Sequence, residues 1–132
     1  MSEGGLTPFM DVEGTKSYFE KMMPDVLLPE NEVDLQEAAF YSDDTVIRTM
    51  FIPKGVMMAK HKHAYTHQSI LISGKVRVHV EGYQPTEYSN AGSIIRIRAG
   101  VHHAVEALED SEWFCIHAAK HKMDGEIKGV EV

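Results

Sequence analysis

The chain has 132 residues, 13 Lys and Arg against 20 Asp and Glu for a formal net charge of −7, 43% hydrophobic residues and one cysteine. That length suits one core and one domain, and the negative charge works against phosphate backbones and anionic membranes, so no nucleic acid or membrane partner is expected. No apolar run approaches the roughly 18 residues of a membrane helix and the first residues lack the basic-then-apolar order of a secretory leader, which predicts a soluble, cytoplasmic protein.

Taken in chain order, residues 1–32 read as an amino-terminal arm. Tyr18, Phe19, Met22 and Met23 fall at helical offsets, Asp11 or Thr15 offers a cap, and Pro24 ends the segment, which predicts one short helix. From Val33 the texture changes to short β-type runs divided by turn residues: VDLQEAAFY, TVIRTMFIP, SILIS, KVRVHVE, SIIRIR, HAVEAL and EWFCIHA. In KVRVHVE, Val76, Val78 and Val80 alternate with Arg77, His79 and Glu81, the period of a strand with one buried face. A meander of strands with glycine punctuation predicts an all-β sandwich or barrel over residues 33–120. The charged tail, 121–132, is not expected to contribute to the core.

Eight histidines are many for this length, and imidazole is the commonest metal ligand. His61, His63 and His67 differ by even numbers, so an extended or gently bulged segment carries all three on one side. Such nitrogen donors suit Fe, Mn, Ni, Zn or Cu, and a tight site needs a further ligand from elsewhere in the chain. Of the adjacent His102 and His103, only one can reach inward.

The glycines around these histidines add a pattern. Gly55, five residues, His61-Lys62-His63, three residues, His67, six residues and Gly74 resemble the first motif of the cupin superfamily, with His67 at its glutamate position. Gly92, five residues, Arg98-Ala99-Gly100, two residues and His103 resemble the second, with Arg98 in place of its proline and Ala107 in place of its terminal asparagine. The resemblance spans about residues 40–118. It implies a jelly-roll barrel with one open mouth and one divalent transition metal held on the inner wall by His61, His63, His67 and His103. Four neutral ligands leave the ion its full charge and strengthen it as a Lewis acid. The chain also resembles small single-domain cupins encoded by bacteriophages and their hosts.

The function this implies is a mononuclear metalloenzyme acting on a small organic molecule by dioxygenase-type or by isomerase- or lyase-type chemistry. The alternative is a non-catalytic, metal-dependent ligand-binding or accessory protein. Tyr65 and His117 are the candidates for catalysis. Met57, Tyr65 and Arg48 are the candidates for contact with substrate, Met57 by its parity with the ligands and Arg48 by the bidentate grip of guanidinium on carboxylate. Arg96 and Arg98 read as solvated residues or as such an anchor, Met50 and Met58 as core filling, Cys115 as a core thiol, His79 as satisfied or exposed, and His102 as a surface or subunit-contact residue. A homodimer is expected, since the arm's apolar residues exceed what a small barrel leaves in water.

Overall fold

The computed structural model describes residues 32–61, 65–120 and 129–131, with backbone alone at 32, 59–61, 130 and 131. The short helix expected in the arm lies outside these residues, as does His63. Eleven strands are described: β1 Glu32–Val33, β2 Ala38–Tyr41, β3 Thr45–Ile52, β4 Val56–His61, β5 His67–Ser73, β6 Val76–Val80, β7 Thr86–Tyr88, β8 Ile94–Ile97, β9 His103–Ala107, β10 Ser111–Ala118 and β11 Gly129–Glu131.

They form two antiparallel sheets, one ordered β1-β11-β4-β9-β6-β7 and the other β2-β3-β10-β5-β8. From β3 onward the chain mostly changes sheet at each connection, so the expected meander is corrected. Among consecutive strands only β2–β3 and β6–β7 pair as neighbours. Short corners such as Pro53–Gly55 carry the chain across the sandwich where a hairpin would fold it back. At the corner after β5, Gly74 has φ +94°, and a Cβ there would collide with Asp110 O and Ser111 Oγ, so only glycine fits.

The period-2 alternation read in the sequence sets the core. β3 and β10 each bury every second residue, and successive inward rows of their sheet run Met50–Trp113–Leu71, then Arg48–Cys115–Ser69–Ile95. From the opposite sheet Met58, Val78 and Val105, which share one cross-strand row, complete the apolar core with Val76 and Ala107. The tail departs from expectation, because β11 pairs with both β1 and β4. A strand is held by backbone hydrogen bonds as well as by side chains, so Gly129–Glu131 enters the sheet between β1 and β4. Among the described residues no helix is long and apolar enough to cross a membrane.

Candidate functional site

The chemistry-bearing side chains collect at one end of the barrel interior. His67 opens β5, His103 opens β9, and His117 lies next to last in β10. His67 and His103 come from opposite sheets, are 3% and 1% exposed, and have ring centres 5.3 Å apart at an interplanar angle of 45°. The backbone of His61, at the end of β4, pairs with that of His103.

A bulge makes that pairing possible and overturns one expectation. Met58 pairs with Val105 and His61 with His103, three steps along β4 for two along β9, so β4 carries one extra residue. The parity argument for Met57 assumed an unbroken strand. Met57 instead pairs with Glu106 on the outer face of the sheet, beside Arg77, while Met58 points inward. Met57 is buried on that outer face and does not line the interior. The single-segment argument for His61 and His67 is corrected too: they belong to strands of different sheets.

Tyr65, in the bend before β5, is 7% exposed and packs on His117 with ring centres 4.7 Å apart; its ring meets His67 edge-on at 6.3 Å. His117 Nδ1 donates to the Ala118 carbonyl at 2.9 Å. His103 is oriented in the same way. Its Nδ1 lies 3.4 Å from the Val101 carbonyl, which can only accept, so Nδ1 is the protonated nitrogen of that contact. His102 is half-buried, and its neighbour is the one that turns inward. Gly100, at φ +77°, makes the turn before β9 despite Arg98 standing where the motif has proline.

Arg48 faces the interior one row deeper and is 2% exposed. Its Nε donates to Glu37 Oε1 at 2.6 Å and its Nη2 donates to the same oxygen, so the guanidinium already grips a carboxylate of this chain. This corrects its reading as a substrate anchor. Spacing held no sign of Glu37, which reaches Arg48 from before the edge strand. Cys115, in the same row, is buried against Ser69 Oγ at 3.5 Å, and burial pushes its thiol up to about 11. That is the inert core thiol the sequence implied.

His79 is buried on the outer face, with Nε2 3.2 Å from Glu106 Oε1. Burial holds its pKa below the ordinary value, against the opposing pull of Glu106. Glu106 also accepts from Arg77 Nη1 at 3.3 Å, and Arg77 Nη2 donates to Glu87 at 2.7 Å. This polar network is separate from the interior histidines.

Among the described residues no group of three or more His, Cys, Asp or Glu is gathered as a metal site. They contribute the His67–His103 pair, and the side chains of His61 and His63 lie outside them. Two imidazoles sharing one ion at metal–nitrogen distances of about 2.1 Å have ring centres roughly 5 Å apart, and the pair fits that requirement.

No family model and no curated protein matches the chain. Solved structures do. A cupin-2 domain protein from Shewanella frigidimarina is 18% identical, with TM-score 0.55 over 65% of this chain and 82% of that one. An RmlC-like cupin with a double-stranded β-helix fold from Methanocaldococcus jannaschii is 19% identical, with TM-score 0.54 over 73% and 92%. KdgF from a Halomonas species is 17% identical, with TM-score 0.57 over 74% and 96%. Two facing antiparallel sheets, a chain that crosses between them at tight glycine corners, and these structural neighbours together show that the chain has the cupin fold.

Proposed function

We propose that the protein is a metal-dependent cupin that acts on a small organic molecule, with one divalent transition metal held by His61, His63, His67 and His103. The observation that carries the reading is the pair of buried imidazoles, His67 and His103, facing each other from opposite sheets at 5.3 Å. Two imidazoles brought together from opposite sheets, at the separation two ligands of one ion adopt, are the arrangement such a centre requires. The contact of His103 Nδ1 with the Val101 carbonyl at 3.4 Å supports the assignment, because a metal-ligating imidazole commonly donates its other ring nitrogen to such an acceptor.

Around that pair the chain supplies its own chemistry. Tyr65 and His117 pack against each other at the same end of the interior, a phenol and an imidazole placed to contact a bound molecule. A divalent ion bound there would supply Lewis acidity or, if redox-active, activation of oxygen.

The test is metal analysis of protein purified without chelator, beside His67→Ala. Near-stoichiometric Fe, Mn, Ni, Zn or Cu in the wild type and a sharp drop in the variant are expected. Equal metal in both would sink the assignment. Spectroscopy of the Co-substituted protein then separates the two functional classes: exchangeable water positions favour an enzyme, and a closed four-histidine sphere favours a binding protein.

A further inference from the structure

We infer that the protein takes a short-chain ligand with a carboxylate at one end and a hydrogen-bond donor, hydroxyl or amine, at the other, laid across the strand ends of the five-stranded sheet. The observation is a hollow of about 480 Å³ at the histidine end of that sheet, whose lining includes Asp44, Thr45, Thr66, His67, Arg96 and His117. Such a volume is ordinary for a small-molecule site. That the bound molecule is what the metal acts on rests on the reading above; that it binds here does not.

The strand order sorts the lining by charge. Asp44 and Thr45 stand where β3 begins, His117 near the end of β10, Thr66 and His67 where β5 begins, and Arg96 in β8. In the order β3-β10-β5-β8 the carboxylate and the guanidinium therefore belong to opposite sides of the hollow, with the two histidine-bearing strands between them. Thr45 pairs with Ala118 and Arg96 with Gln68, so both sides are tied into the ladder. Three strand spacings of about 4.8 Å separate them by about 14 Å. A hydrogen bond of about 3 Å at each side leaves about 8 Å, the length of an extended chain of roughly six carbons. The middle of that chain lies over the ends of β10 and β5.

Each side has the chemistry its half of the ligand needs. A guanidinium offers a carboxylate two parallel donors. Just before β5, Thr66 Oγ1 accepts from Ala99 N at 3.2 Å, which leaves its hydroxyl proton to donate. At the far side the Asp44 carbonyl accepts from Ala119 N at 2.9 Å and anchors the residue, whose ionised carboxylate can only accept and so selects a donor. Among the arginines the sequence offers as anchors, Arg48 faces the interior and grips Glu37, and Arg98 lies past β8 outside this lining. Arg96 is the one that shares a hollow with His67 and His117.

The experiment uses the full chain, its metal content measured, with ε-hydroxycaproate and ε-aminocaproate as probes in titration calorimetry. Both should bind, and ε-hydroxycaproate at least about tenfold more tightly than ε-hydroxycaproamide, which has the same shape without the charge. Arg96→Gln should weaken both acids by about tenfold or more while the melting transition and metal content hold, and Arg96→Lys should recover part of the loss. Asp44→Asn should weaken ε-aminocaproate more than ε-hydroxycaproate, because only the amine brings a charge to that side. Equal affinity for acid and amide, wild-type binding by Arg96→Gln, or no binding of either acid at millimolar concentration would overturn the inference. A metal-free protein that still binds the acids through Arg96 would sink the metal reading and sustain this one, and a metal-loaded protein that binds neither would do the reverse.

Discussion

The two ends of the barrel interior are built from the same strands and filled in opposite ways. Toward one end Trp113, Leu71, Met50 and Ile52 pack with Val76 and Ala107 into a dry apolar plug. At the other, the same β10 delivers His117, the same β5 delivers His67, and β9 adds His103 from across the sandwich. Each end therefore has a separate physical task. The plug buries apolar side chains, and burial free energy of that kind offsets the cost of gathering imidazoles at the other end.

The comparison can be broken most forcefully at the plug. Trp113 is 1% exposed at the centre of its row, and Trp113→Ala should destabilise the fold by about 3–5 kcal/mol in denaturant titration. A loss below about 1 kcal/mol would show that this end is not where stability resides.

The histidine end should respond in the reverse sense. His103→Ala should lower metal affinity by roughly a hundredfold or more, yet leave the chelator-treated protein melting close to the chelator-treated wild type. If the variant instead melts far lower without metal, His103 is a packing residue and the division between the ends fails.

The smallest effect lies outside both ends. His79 has its pKa held below 6.5 in the folded state, chiefly by burial. The unfolded chain therefore takes up this proton more readily. The stabilisation is complete above pH 6.5 and is lost as pH falls through the lowered folded value, by at most about 1.4 kcal/mol per pH unit. In chelator-treated protein, the difference in stability between wild type and His79→Gln should shrink from pH 7.5 to pH 5.5. A difference independent of pH would show that Glu106 offsets the burial.

How much of this was legible in the sequence depended on whether the signal was local. Alternation in TVIRTMFI and SEWFCIHA marks β3 and β10 directly, because a strand with one buried face writes its period into its own residues. The glycine corners that frame the histidine motifs were legible for the same reason, since a corner and the strand after it are contiguous. What failed was what depends on a partner. The extra residue in β4 is visible only against the register of β9, and without it Met57 reads as inward. Glu37 finds Arg48 across a fold the spacing does not reveal, and β11 exists only because β1 and β4 offer it a ladder.

The crossing of the chain between sheets also has a kinetic consequence. Thr45 pairs with Ala118 and Met57 with Val130, so the ladders that close the barrel join residues far apart in sequence. Loop closure must precede reward, which places folding toward the slow, millisecond-to-second regime of non-local β topologies. During synthesis His67 emerges well before β9 and β10, and it waits, with β3 and β5 lacking their shared central neighbour, until those strands are made. Assembly of the histidine end is thus a late event, and a ribosome paused before residue 103 holds a chain that cannot yet bring the His67–His103 pair together.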